Sequence, residues 1–370
     1  MKLRITLALM APILVAAMPC MWDYDTLAQE RARFPSALEL ITGKFPRHSE
    51  AYYRWRIQDR EERRRAGEDT PELFDDLAVA HSKLGQDERA IELMAEKESR
   101  FPGLYETAAN LGTFYIHSGQ LDEGAEEIAR AISINPEAHF GREIYQELLV
   151  RYVIEKRDAH GSVPKPLQME PAGMVSDVHG FWTFVKERRG VTEDGEAAEI
   201  QSAVTGVLGM MRFGNHDSLV LLEALSDLLQ AGKSKDAKRL AARALLRASR
   251  KVEGKDVRQA YRGKAAAALD MQTPDPSSAR SMTVDEIDVA FASELEEAAL
   301  WWTELVARER SWIEGGADVD ALFHETYLAA EPGVTSEGEE DSRGQILLLL
   351  CAVSAAVLAA VAYLVIRLRR

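Results

Sequence analysis

Cysteine is nearly absent, with only Cys20 and Cys351 in a chain of 370 residues. One stands beside an N-terminal apolar run and the other inside a C-terminal one, so they build no disulfide framework and offer no metal-ligand spacing. A basic excess is also lacking. Lys and Arg number 45 against 60 Asp and Glu, a net charge of -15, which excludes the basic face that nucleic-acid phosphates require. The eight histidines are scattered singly. There is no His-Glu-x-x-His, no phosphate-cradling glycine loop and no Gly-x-Ser-x-Gly. Acidic pairs such as Glu126-Glu127 and Glu296-Glu297 are adjacent in sequence and diverge around a helix. No catalytic constellation, cofactor site or metal site emerges, and no small-molecule substrate is evident.

The two apolar runs define the ends. Lys2 and Arg4 precede a charge-free run at 5–17, the pattern of a bacterial-type secretory signal, with cleavage expected after Ala17. That run is too short for a hydrocarbon core of ~30 Å, which needs about 20 helical residues. The longer run at 346–366 carries no charge anywhere and is followed by Arg367, Arg369 and Arg370. It predicts a transmembrane helix at 345–366, with the basic tail 367–370 on the cytoplasmic side. An acidic, Gly/Ser-rich tether at 331–344 precedes it. The expected topology is a single pass in the cytoplasmic membrane with an exported ectodomain.

Between the ends the signals are helical, and the expected fold class is all-α. Ser36 and Gly43 bracket a short helix, Ser49 opens an arginine-rich one, and Thr70-Pro71-Glu72 reads as a capped helix start. Arg54, Arg56, Arg60, Arg63, Arg64 and Arg65 suggest a solvated face on the second of these. Further helices are expected over 137–156 and, after a proline-broken boundary at 161–173, over 196–212, 217–230, 234–251, 256–269, 283–314 and 318–330. Arg239, Arg243, Arg247, Arg250 and Lys251 give one of them a basic stripe suited to an acidic partner or to solvent. The expected organisation is a signal at 1–17, an N-terminal helical region at 18–156, a loop and short helix at 157–195, and a second lobe at 196–330.

Leu77, Ala78, His81, Gly85, Ala90, Met94, Lys97 and Pro102 are echoed at one constant offset by Leu111, Gly112, Tyr115, Gly119, Gly124, Ile128, Ala131 and Pro136. A period of about 34 residues, with small residues where helices cross, marks a helix-turn-helix array. The segment 71–138 resembles two consecutive tetratricopeptide repeats, and 217–251 resembles a degenerate third. Lys97 departs from the pattern by occupying a small-residue position, so the end of its helix is expected to turn towards solvent. Ala108 departs too, standing at a bulky position.

The resemblance implies an α-α superhelix whose inner face lines a concave groove. By register that face comprises Glu72, Asp75, Asp76, Val79, Ser82 and Lys83 in the first repeat, then Glu106, Ala109, Asn110, Thr113, Ile116 and His117 in the second. Asn110 matches the residue that holds a ligand backbone in peptide-binding relatives. The acids Glu72, Asp75 and Asp76 argue against a carboxylate clamp and favour a neutral or basic extended segment. The function expected is therefore a non-catalytic, membrane-anchored scaffold that binds protein or peptide. The alternatives are a structural spacer or assembly subunit of an envelope complex, held through its outer face or Trp301 and Trp302, and an envelope enzyme whose helical active site goes unrecognised.

Overall fold

The computed structural model describes residues 34–136, 141–169, 180–232, 234–270 and 282–329. The expected signal at 1–17, Cys20, the tether, the transmembrane segment at 345–366 and the basic tail lie outside them. Every regular element among the described residues is helical, and none of these helices is long and apolar enough to cross a membrane.

The helix starts follow local chemistry. Ser36 and Glu39 form a capping box ahead of α1 (Ala37–Thr42), Ser49 caps α2 (Glu50–Arg65), and Thr70 caps α3 (Pro71–Lys83) with proline in its first turn. A side chain at each cap satisfies an amide that the first turn leaves unpaired. The hairpin partners follow as α4 (Asp87–Arg100), α5 (Tyr105–His117) and α6 (Leu121–Ile134). Gly85 and Gly119, one period apart, turn the chain at φ 73° and 85°, a left-handed conformation that strains any residue with a Cβ.

The period also fixes how closely helices approach. A Cβ on Gly112 would lie 2.7 Å from Ile128 Cδ1 and 3.0 Å from the Ile128 backbone nitrogen. Alanine gains about 1 kcal/mol of helix propensity over glycine, but crowding a packed core costs about 1–3 kcal/mol. Gly112→Ala is therefore expected to be destabilising. Gly263→Ala should stabilise by up to about 1 kcal/mol, since nothing lies within 4 Å of its Cβ position. Urea unfolding of the two variants should give shifts of opposite sign.

Lys97 does not face solvent. It is 0 % exposed, and its Nζ lies 2.7 Å from both carboxylate oxygens of Asp75. The long side chain at a small-residue position reaches back across the hairpin to an acid on α3, which explains both residues at once.

The second half begins with α7 (Arg142–Lys156) and α8 (Gly180–Arg189). Then come α9 (Glu196–Met210), a π turn at Met211–Asn215, α10 (Leu219–Ala231), α11 (Lys235–Lys251) and α12 (Lys255–Asp270). The described part of the expected boundary is built into the core, with Leu167 and Gln168 buried. Leu167 N donates to Glu223 at 2.9 Å and Gln168 Nε2 to Asp227 at 2.8 Å. One apolar cluster runs from Leu40 and Phe45 through Tyr152, Phe181 and Leu225 to Phe291, and the described residues up to Leu328 form one compact unit.

A 31-residue helix, α13 (Val284–Glu314), opens on a capping box of Thr283 and Glu286 and buries one stripe: Ile287, Phe291, Ala298, Leu305 and Glu309. Its acids meet the basic stripe of α11. Arg243 pairs with Glu294 at 2.7 Å, and Arg250 with Asp288. Arg247 and Lys251 instead share Asp217, at 2.7 and 3.2 Å. The stripe is thus largely an internal joint, because four of its five cations meet acids 30 to 51 positions away, while Arg239 pairs with Asp236 of its own helix.

The first helices meet the last. His48 Nδ1 lies 2.6 Å from Glu309 Oε1, and Ser49 N donates to Glu309 Oε2 at 2.9 Å. Arg60, which is buried rather than solvated, bonds Asp76 at 2.8 Å and Asp320 at 3.0 Å. Asp320 belongs to α14 (Val319–Phe323), which a π turn at His324–Leu328 follows. Trp301, Trp302 and Trp312 pack with Leu305, Phe323, Tyr327 and Leu328, and Arg47 sits 3.7 Å over the Trp302 ring.

His216 shows how this interior affects charge. Burial, followed by the neighbouring Arg47, pushes its imidazole down to about 3. Because the unfolded chain binds the proton more readily, acidification below the ordinary histidine range favours unfolding, by up to about 1.4 kcal/mol per pH unit for one such group. Urea unfolding at pH 7 and pH 5 should show a smaller acid loss for His216→Gln than for the parent.

Candidate functional site

The inner-face positions divide by fate. Asp75, Asp76, Val79, Asn110 and Thr113 are buried. Asn110 Nδ2 donates to Asp75 Oδ1 at 3.0 Å, so the side chain expected to hold a ligand braces the Asp75–Lys97 pair. Burial pushes the Asp75 carboxyl up to about 7, against Lys97 and Asn110, which favour the carboxylate. Asp76 is engaged by Arg60. Ser82 donates to Asp87 at 2.6 Å and lies 3.3 Å from His117 Nδ1. Burial opposes ionisation of Asp87, yet the hydrogen bonds from His117 and Ser82 hold it below the usual carboxylate range. Glu72 and His117 remain exposed, while Glu106, Lys83 and Ile116 are half-buried.

Lys83 has a further task. Its Nζ donates to Phe213 O at 2.5 Å and Gly214 O at 2.8 Å, taking carbonyls released by the π turn. This contact ties the first repeat to the second half of the chain.

Beside that tie lies a cavity of about 560 Å³. Thr113, Ile116 and His117 of α5 form one wall, and Gln146, Leu149, Val150 and Val153 of α7 form another. Met210, Phe213 and Gly214, with Val220 and Leu221 of α10, close the far side. Arg157, Gly161, Val163 and Lys165 line it from the segment after α7. That segment is anchored from below by Leu167 and Gln168, and by Lys264, which donates to Gln168 Oε1. A volume of this size and a mostly apolar lining match small-molecule pockets, which span about 300–1,000 Å³.

No protein-family model and no curated protein matches this chain.

Glu223, Asp227 and Lys264 form a buried ionisable cluster, with Tyr261 donating to Glu223 at 2.6 Å. Burial, then the Glu223 charge and hydrogen bond, raise the Tyr261 hydroxyl above its ordinary value. Glu223 and Asp227 are 1 % and 0 % exposed. Their visible task is to hold residues 167, 168 and 181 in place, Phe181 N donating to Asp227 at 3.0 Å. Among the described residues no group of three His, Cys, Asp or Glu could hold a metal ion. Thr113 and His117, which the repeat register puts on a peptide groove, line one wall of this cavity, while its α7 and π-turn walls carry no such signal. Leu149, Val153 and Phe213 read as ordinary core residues, and no sequence signal distinguishes an apolar cavity wall from a filled core.

Proposed function

We propose that this chain is a membrane-anchored scaffold of tetratricopeptide-like hairpins that binds an extended polypeptide segment outside the cytoplasmic membrane, without catalysis. The supporting observation is the recurrence of an acid at one repeat position, Glu72 and then Glu106, both reaching solvent beside the neutralised Asp75 and Asp76. An acid per repeat on one face suits a segment with spaced basic residues, and such solvent-facing charges act mainly on encounter and register. Placing a photo-crosslinking residue at Glu72 or Glu106 in the full chain should trap a partner polypeptide in cells. Reversing the other acid should lower the yield by up to about fivefold, the range of one exposed charge pair. Unchanged yields would remove this face from the reading.

A second reading, an assembly subunit, draws on Val289 and Leu300 of α13, which are 75 % and 63 % exposed. Crosslinking from those positions, and not from Glu72 or Glu106, would favour it. The anchor is tested separately. Truncation after residue 344 should move the chain from the membrane to the soluble fraction, whereas retention would point to another attachment.

A further inference from the structure

We propose that the cavity between α5, α7 and α10 binds a single-chain anionic amphiphile, with its apolar chain inside and its carboxylate or phosphate head held by Lys165 and Arg157. This site is separate from the acids proposed to contact a polypeptide, and neither proposal depends on the other.

The walls select against a peptide as occupant. Thr113 Oγ1 donates to Ala109 O at 3.0 Å and accepts from Gln146 Nε2 at 3.1 Å. Asn215 Oδ1 accepts from Asp217 N at 3.0 Å, and Ser218 Oγ accepts from Leu221 N at 3.5 Å. Lys83 already holds the Phe213 and Gly214 carbonyls. A peptide would bring an amide and a carbonyl with each residue into a space most of whose polar groups are already engaged. A hydrocarbon chain brings no such groups, and the one buried side-chain acceptor of the lining without a hydrogen-bond partner, Gln146 Oε1, cannot serve the amide and carbonyl that every peptide residue would bring.

Charge selects the head group. In a chain of net charge -15, the ionisable residues lining the cavity among those described are His117, Arg157 and Lys165, and no acid is part of the lining. Lys165 is exposed and forms no ion pair among the described residues. Arg157 pairs with Asp122 at 2.9 Å, but the Asp122 side chain is 66 % exposed. Such a surface pair contributes little and yields to a competing anion. The anchoring of Leu167 and Gln168 fixes the backbone that presents Lys165, so the ammonium is offered from a firm support.

The purified full chain can be tested with hexadecanoate carrying a diazirine at its tail. Irradiation should place adducts on Leu149, Val153 or Met210. Dodecanoate should compete at least about tenfold better than dodecyltrimethylammonium, a discrimination expected of two rim cations. The double variant Arg157→Glu, Lys165→Glu should erase that preference. Filling the cavity with Val153→Trp should abolish the adducts, and Val163→Phe provides a second filling from the loop side if the first variant loses helical circular dichroism. Equal competition by both head groups, adducts that survive both fillings, or no adducts at these walls would each overturn the proposal. So would displacement by an uncharged apolar peptide as effective as dodecanoate, because the occupant would then be polypeptide.

Discussion

Lys97→Met is expected to lower the unfolding free energy by about 3–5 kcal/mol near pH 8, the usual effect of removing one partner from a buried ion pair. Methionine matches the length of the lysine stem, so the loss comes from the Asp75 carboxylate left without its cation rather than from a void. Asp75 is already pushed up to about 7 with Lys97 present, burial being the main cause. Without Lys97 it is pushed further. A carboxyl raised in the folded state favours folding while protonated, and that contribution fades as pH rises through the folded value. The variant should therefore lose least near pH 5 and most at pH 8, measured by urea unfolding at both. Equal losses would mean that the pair carries no charge worth neutralising. The double variant Asp75→Leu, Lys97→Met should recover part of the loss, since an apolar pair of similar volume avoids desolvating either charge.

Arg60→Met should have an effect of similar size, about 3–5 kcal/mol, for a related reason. Burial opposes its charge, yet Asp76 and Asp59 hold the Arg60 guanidinium more firmly protonated than usual. The same side chain donates to Asp320 at 3.0 Å, so its loss removes a cation shared by acids of two elements, although Tyr52 still donates to Asp320 at 2.5 Å. Arg60→Lys should restore little, because an ammonium cannot reproduce the planar fork that serves several carboxylates. The expected signature is specific to place. Tryptophan emission should shift to the red as α14 loosens from Trp301 and Trp312, with far less change in helical circular dichroism. A drop in stability without an emission change would place the damage inside the first repeats instead.

These variants also show what was legible in the sequence. Caps, turns and the repeat period are local chemistry, and Ser36, Ser49, Thr70 and Thr283 open helices where the sequence places them. Whether a charge is solvated is decided by partners far along the chain. Arg60 meets Asp320 across 260 positions, and Lys97 meets Asp75 across 22. Helical spacing alone makes the basic faces of α2 and α11 look solvated, and makes Asp75, Asp76 and Asn110 look available. The cavity itself is not legible in the sequence, because register identifies which face Thr113 or His117 occupies and not how completely its neighbours fill the space.

The joining of the first helices to α13 and α14 also governs the order of events in folding. Hairpins of one repeat each form from local contacts and are fast. The contacts of Glu309 with His48 and Ser49, and of Asp320 with Arg60, close loops of about 260 residues, whose entropy is lost before the contacts give anything back. During synthesis at about 5–20 residues per second, the repeats emerge long before their distant partners do. The half-made chain therefore presents the cationic side of α2 with Asp320 still to come, and the last helices act as a late lock on an array already formed.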